Sequence, residues 1–137
     1  MTQPSILIVD DEPINIRLLS ENLKQDYDLR VSTSGKQAIA QLEQHHKDID
    51  LILLDVNMPE MSGNEVLDII NKNADWKEIP VIFVTAMDQE CDEADGLKRG
   101  AADYITKPIS APIVKARITT QLTLRKAKEV LSSQNKI

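Results

Sequence analysis

Five side chains that could carry chemistry follow four of the apolar runs of the sequence. Asp10 and Asp11 follow the first run, and Asp55 follows the third. Thr85 follows the fourth run, and Lys107 stands two residues after the fifth. If these runs are parallel strands, their carboxyl ends share one edge of a sheet, where ligands bind in α/β proteins. We therefore expect the five side chains to converge at that edge.

The chemistry of these groups is complementary. Three crowded carboxylates repel one another unless a divalent cation is present, and hard oxygen ligands suit Mg²⁺. The amine of Lys107 and the hydroxyl of Thr85 suit the outer oxygens of a phosphoryl group. Asp55, flanked by a metal and a lysine, is placed to attack phosphorus and form an aspartyl phosphate.

The elements that must position these groups can be read from the apolar runs. There are five, at residues 6–9, 29–31, 49–54, 81–84 and 101–105. Three of them are continuous and rich in β-branched residues, which is typical of strands buried on both faces of a parallel sheet. The second run alternates with polar residues, which predicts an edge strand. Helical patterns lie between the runs, so the sequence predicts an α/β fold with right-handed crossovers.

Helical patterns also indicate which residues face the sheet. Helices are expected to open at Pro13, after Ser34, near Gly63, at about 88–99 and near Ser110. The pattern at 88–99 is weak because few apolar residues form a stripe there. The expected core-facing residues of the other four helices are Ile14, Leu18 and Leu23; Ala38, Ile39 and Leu42; Val66, Leu67 and Ile70; and Ile113, Val114 and Ile118.

Over about residues 5–122 the chain resembles the receiver domains of two-component response regulators. Four blocks carry the resemblance, at residues 6–12, 53–63, 84–86 and 103–108. The resemblance implies a doubly wound, flavodoxin-like (βα)5 fold. Its five-stranded parallel sheet would have the strand order 2-1-3-4-5, and here the C-terminal helix would be extended.

The resemblance also implies a role for each residue of the site. Asp55 would be the phospho-acceptor, and Asp10 and Asp11 would hold Mg²⁺ with it. The backbone carbonyl of Asn57 would complete the coordination by the protein. Thr85 and Lys107 would contact the phosphoryl group, and Thr85 and Tyr104 would form the conformational switch. The resemblance further implies a cis peptide bond between Lys107 and Pro108. From the residues alone, packing is the favoured role of Tyr104, because an aromatic on a sheet edge is more often a packing residue than a switch.

Composition limits the classes of protein. The 137 residues fit one domain, and the single cysteine, Cys91, excludes a disulfide framework and indicates a reducing compartment. No apolar run approaches the roughly 18 residues of a membrane span, and the polar start is no signal peptide, so we expect a cytoplasmic protein without membrane contact.

Charge is distributed unevenly within the net value of −6. Residues 1–109 hold 10 basic and 21 acidic side chains, whereas residues 110–137 hold six basic and one acidic. An acidic body disfavours nucleic-acid binding by this domain, since phosphate contacts need a cationic face.

The final helical pattern is longer than one domain needs. As one helix, residues 110–132 would extend about 33 Å. Beyond Ile118, nothing obvious in the chain covers the remaining apolar side chains, which are Leu122, Leu124, Ala127 and Leu131. We interpret residues 1–122 as a receiver domain and 123–137 as a helical extension or linker. The extension would serve a homodimer or a covalently linked output domain, unless it is a frayed terminus. Residues 115–131 are similar to the receiver–linker junction of regulators with cyclic-di-GMP output domains.

Three functions remain to be weighed at the sequence level. The first is a signalling switch that takes a phosphoryl group from a histidine kinase or phosphotransfer protein and turns over no separate metabolite. A Mg²⁺-dependent phosphohydrolase would need a general acid two residues after Asp55, where Asn57 stands. A nucleotide- or flavin-binding domain would need a glycine-rich loop after the first strand, where the acidic residues 10–12 stand.

Overall fold

Five short strands form one parallel sheet in the computed structural model, which describes residues 3–85 and 100–134. They are β1 (Ser5–Val9), β2 (Asp28–Ser32), β3 (Leu51–Asp55), β4 (Val81–Thr85) and β5 (Asp103–Thr106). Their order in the sheet is β2-β1-β3-β4-β5, and all pairs are parallel. The fold class and strand order predicted from the sequence are confirmed, and the alternating second strand lies at an edge.

Within residues 3–85 and 100–134, four helices and one short 3-10 turn accompany the strands. They are α1 (Pro13–Leu23), α2 (Gly35–His45), the 3-10 turn (His46–Asp48), α3 (Gly63–Lys72) and α4 (Ala111–Gln134). The predicted helix at 88–99, with Cys91, lies outside the described residues. No described helix is long and apolar enough to cross a membrane.

Both faces of the sheet are buried, as the continuous apolar runs predict. On one face, strand residues such as Leu7, Leu54 and Phe83 pack with α2, α3 and Trp76. On the other, strand residues such as Ile8 and Leu53 pack with α1 and α4. Helices therefore cover both faces of the sheet, so a functional site would lie at its carboxyl edge.

The core-facing residues of α2 and α3 were predicted correctly, whereas of the three predicted for α1 only Leu23 is buried. Ala38, Leu42, Val66, Leu67 and Ile70 are buried, and Ile39 packs partly against them.

In α1 the buried residues are Leu19 and Leu23, with Ile16 beside them. Ile14 is 72% exposed and Leu18 is also exposed, so the predicted stripe was wrong for both. The reason is that α1 carries two apolar stripes at helical spacing, and only contact with the sheet selects one.

The C-terminal helix α4 differs from the prediction at two positions. Val114 and Ile118 are buried as expected, whereas Ile113 is exposed. Leu122, for which no cover was expected, packs partly against the α1 side of the core. Beyond it, Leu124 and Leu131 are 50% and 58% exposed. The body of the domain therefore covers α4 for one turn more than the sequence suggested.

Candidate functional site

The carboxyl ends of the two central strands bring three carboxylates together. β1 and β3 are neighbours with Val9 opposite Leu54, so Asp10 and Asp55 extend the two strands side by side. One carboxylate oxygen from each of Asp10, Asp11 and Asp55 lies within 4.8 Å of the others. The predicted convergence of the carboxylates is confirmed.

Backbone contacts hold this acidic cluster in place. The N–H of Asp10 donates to the carbonyl of Ser32 at 3.1 Å, and Asp10 Oδ1 accepts from the N–H of Glu12 at 2.9 Å. Asp55 Oδ1 accepts from the N–H of Asn57 at 3.4 Å. Helix capping does not account for the cluster, because Glu12, the N-cap residue of α1, makes no side-chain capping bond.

Lys107 places its amine against the acidic cluster. Its Nζ lies 3.5 Å from Asp55 Oδ1 and 3.8 Å from Asp10 Oδ2, and its side chain is 24% exposed. Its N–H donates to the carbonyl of Thr85 at 2.7 Å, which ties the loop after β5 to the end of β4. The peptide bond to Pro108 is cis. Lys107 is therefore directed into the site, which is not the geometry of a surface lysine at a turn.

Thr85 lies on β4 and Tyr104 on β5, the two strands on the side of β3 away from β1. Thr85 is buried at the end of β4, one residue past Val84, which is in register with Asp55. Tyr104 is in register with Phe83 and packs, partly buried, against the α2–α3 side of the core. Tyr104 thus makes the packing contact expected of an edge-strand aromatic, and its role as a switch stays a prediction.

Burial dominates the electrostatics of the cluster. It raises the pKa of Asp55 to about 7; the nearby Asp10 adds to the rise, whereas Lys107 and the N–H of Asn57 oppose it. Burial also raises the pKa of Asp10, against the N–H of Glu12 and Lys107. Lys107 therefore does not offset the effect of burial on Asp55 and Asp10, and a bound divalent cation would favour the ionised form of both carboxyls.

The donor set fits a hard divalent cation. Asp10 Oδ2 and Asp11 Oδ1 are buried and make no hydrogen bond in the described part of the chain. Buried carboxylate oxygens without donors are costly, and such oxygens are the usual ligands of Mg²⁺. The cluster can thus hold a metal ion.

Two residues to which the sequence assigned no tertiary contact connect helices to β3, one at each of its ends. Gly63 begins α3 against the end of β3, and its N–H donates to the carbonyl of Val56 at 2.8 Å. Arg125, counted in the sequence only as a basic residue of the extension, donates from Nη1 to the carbonyl of Asp50 at 2.8 Å. A glycine at the first position of a helix was the available signal for the former. No local pattern distinguishes Arg125 from the lysines around it.

Comparison with known proteins agrees with the geometry. A family model described as the response regulator receiver domain matches residues 6–119. The protein named "Probable cyclic di-GMP phosphodiesterase" from Vibrio cholerae is 45% identical over 135 residues, which are 98% of this chain and 30% of that protein. "Response regulator PleD" from Caulobacter vibrioides is 39% identical over 114 residues, which are 82% of this chain and 25% of that protein.

Solved structures show the same fold. The crystal structure of NtrX from Brucella abortus superimposes with a TM-score of 0.90 at 25% identity, covering 98% of this chain and 30% of that one. The chain spans less than a third of the length of each of these three proteins.

Proposed function

The chain belongs to the response regulator receiver domain family of two-component signalling, and we propose that it accepts a phosphoryl group on Asp55 with Mg²⁺ bound. The observation that supports this most strongly is the meeting of three carboxylates with Lys107 at one edge of the sheet. An acceptor carboxylate, ligands for a cation and a counter-charge for phosphate are the parts that phosphoryl transfer requires.

The metal ion would be held by Asp10, Asp11, Asp55 and the backbone carbonyl of Asn57. Bound there, Mg²⁺ would neutralise the carboxylates and the incoming phosphoryl oxygens. The two buried oxygens of Asp10 and Asp11 without hydrogen bonds support this assignment.

The phosphodonor is a phosphohistidine of a histidine kinase or phosphotransfer protein. An oxygen of the ionised Asp55 carboxylate attacks phosphorus, the P–N bond breaks, and its electron pair stays on the imidazole nitrogen. Asp55 becomes an acyl phosphate, and the donor ring, which carries a proton on its other nitrogen, leaves as neutral imidazole. Water later attacks the same phosphorus, so that the P–O bond to Asp55 breaks and inorganic phosphate leaves.

Lys107 and Thr85 stabilise the phosphoryl group in this scheme. Lys107 forms an ion pair with a phosphoryl oxygen, and the hydroxyl of Thr85 donates to another. The new charge favours one of two arrangements of Thr85 and Tyr104, and with them of the surface that β5 and α4 form. A partner that binds only one arrangement reads the signal. The predicted helix at 88–99 belongs to this proposed surface but lies outside the described residues.

We further propose that residues 1–122 form the receiver and residues 123–137 the start of a helical connection. The support is the length of the relatives, of which the chain covers 30% and 25%. In a longer parent protein the connection would lead to an output domain, and in a homodimer it would pair with a second copy.

The proposed function includes no turnover of a separate substrate. Asn57, two residues after Asp55, cannot protonate a leaving group, which a phosphohydrolase with Asp55 as nucleophile would require. Enzymatic activity in the relatives would then reside in their other domains.

Intact-mass spectrometry tests the proposed function directly. The chain is incubated with acetyl phosphate and Mg²⁺, and we expect an alkali-labile adduct of about 80 Da, the mass of one HPO₃ group. Asp55→Asn and the wild type in EDTA are the controls, and neither should gain mass. A wild type that stays unmodified, or an Asp55→Asn variant that is modified equally, would show that the proposal is wrong.

A further inference from the structure

Two helices of the domain begin with a buried glycine that directly follows a serine N-cap. Ser34 precedes Gly35 in α2, and Ser62 precedes Gly63 in α3. Neither glycine has a positive φ, so the backbone at these positions does not require glycine. Alanine is a better helix former at an ordinary helical position. The reason for glycine must therefore lie in the space around it.

The surroundings of the two glycines differ in kind. A Cβ on Gly63 would collide with the carbonyl oxygen of Asp55 and would lie 2.8 Å from Cα of Val56. A Cβ on Gly35 would lie 2.8 Å from Sδ of Met61 and 2.9 Å from Cγ2 of Val66. The obstacles at Gly35 are side-chain atoms, of which Sδ of Met61 belongs to a flexible side chain. Those at Gly63 are the backbone of β3 at the acceptor residue itself.

Gly63 also closes the loop that carries part of the site. Its N–H donates to the carbonyl of Val56 at 2.8 Å, so residues 57–62 form a loop between two bonded positions. Asn57, whose carbonyl is the proposed metal ligand, lies in this loop, and its N–H donates to Asp55 Oδ1. At the start of the loop, the N–H of Val56 donates to the carbonyl of Val84 in β4 at 3.4 Å. A displacement between Gly63 and β3 would thus change both Asp55 and the Asn57 carbonyl.

We propose that Gly63 is a positioning residue for phosphoryl acceptance. Because it has no Cβ, α3 begins in contact with the backbone of Asp55, and that contact fixes Asp55 and Asn57 for the metal ion and the phosphoryl group. The inference rests on the proposed function of Asp55. One consequence is that the addition of only a methyl group at position 63 would push α3 away from β3 at the acceptor Asp55.

Gly63→Ala and Gly35→Ala form a matched pair for the test. Three quantities are measured for each variant: the Kd for Mg²⁺ by calorimetry without phosphodonor, the initial phosphorylation rate with acetyl phosphate, and the free energy of unfolding in urea. We expect Gly63→Ala to raise the Kd about tenfold, as loss of support for metal ligands does. The phosphorylation rate should fall about 100-fold, the cost of a misplacement of about 1 Å, and should stay low at saturating Mg²⁺.

Gly35→Ala distinguishes positioning from loss of stability. It should lower the free energy of unfolding while leaving the Kd and the phosphorylation rate unchanged. If Gly63→Ala binds Mg²⁺ and is phosphorylated as Gly35→Ala is, the inference is wrong.

If Gly63→Ala is largely unfolded, the measurements are repeated in trimethylamine N-oxide, which favours the folded state. A folded Gly63→Ala with wild-type Mg²⁺ affinity would also overturn the inference. A wild type that is not phosphorylated would refute the proposed function, whereas the Mg²⁺ affinities of the pair would still decide the role of Gly63.

Discussion

Lys107 and Asp55 face each other across the end of β4, with Nζ 3.5 Å from Oδ1. Asp55 ends β3 and Lys107 follows β5, and the bond from the N–H of Lys107 to the carbonyl of Thr85 places the backbone of the lysine beside the end of β4. Lys107 lowers the pKa of Asp55 but does not overcome the effect of burial, which leaves that pKa at about 7. The nucleophilicity of the acceptor therefore depends on the cations around it.

Removal of the cation at position 107 should raise the pKa of Asp55 further above its usual range. In Lys107→Gln we expect a higher titration midpoint of the Asp55 carboxyl, measured by carbon NMR without Mg²⁺. Phosphorylation by acetyl phosphate should fall about 100-fold, as it does when one donor to a developing charge is lost. Lys107→Arg keeps the charge and should retain the wild-type midpoint. Equal midpoints in Lys107→Gln and the wild type would contradict this assignment.

The raised pKa of Asp55 predicts how stability depends on pH in the absence of metal. The unfolded carboxyl ionises near 3.8, whereas the folded one ionises near 7. The unfolded state therefore loses its proton first, and the free energy of unfolding should fall as pH rises from about 4 to about 7. The change should be a few kcal/mol at most, at about 1.4 kcal/mol per pKa unit. Asp10 acts in the same direction.

Asp55→Asn isolates this contribution. The difference in free energy of unfolding between this variant and the wild type, from urea titrations in EDTA, should grow in favour of the variant between about pH 4 and pH 7 and level off above that range. A difference that does not change with pH would mean that Asp55 ionises at its ordinary pKa.

Mg²⁺ at about 100 times its Kd should stabilise the wild type by about 2.7 kcal/mol.

Much of this architecture could be predicted because it depends on period and order along the chain. The continuous runs of β1, β3 and β4 predict strands buried on both faces, and the parallel arrangement then brings Asp10, Asp55 and Thr85 to one edge. Which stripe of α1 is buried could not be predicted. Ile14 and Leu18 have the same spacing as buried residues, and only the position of α1 on the sheet decides between the stripes.

Contacts between residues far apart in the chain could not be predicted from the sequence, for a related reason. The approach of Gly63 to Asp55 and the bond from Arg125 to Asp50 depend on where helices meet strands in space. The pKa of Asp55 depends on burial and on Asp10, so it too is set by the three-dimensional arrangement and not by the order of residues.

The metal assignment predicts different effects for two neighbouring acidic residues. Asp11 presents a buried oxygen to the cluster, whereas Glu12 is exposed and its carboxylate contacts Asn15 at 3.4 Å. Asp11→Asn removes a charged ligand and should weaken Mg²⁺ binding at least about tenfold by calorimetry. Glu12→Gln changes the net charge equally and should alter the affinity little. Equal losses in both variants would indicate a general charge effect and no direct ligation by Asp11.

Arg125 fastens α4 to the end of β3 that lies opposite the site. Its Nη1 donates to the carbonyls of Asp50 at 2.8 Å and Ile49 at 3.4 Å. In Arg125→Ala we expect the free energy of unfolding to fall by about 1 kcal/mol and the amides of residues 126–134 to exchange faster. Lys126→Ala, at the exposed neighbouring position, is the control and should change neither. Equal exchange in the two variants would show that Arg125 does not anchor the helix.

The same anchor leaves an apolar seam of α4 exposed, which we define as Leu124, Ala127 and Leu131. At 3.6 residues per turn these three lie within about 60° of one another, whereas Arg125 is turned about 100° away from Leu124 toward the sheet. Spacings of three and four residues with a small central side chain suit a helix pair, and a second copy would present the same seam.

We expect the chain to form dimers through this seam in at least one phosphorylation state. The measurement is sedimentation velocity, in which the double variant Leu124→Gln with Leu131→Gln should remain monomeric and Lys126→Gln should behave as the wild type. A monomeric wild type in both states would show that the seam serves another partner or none.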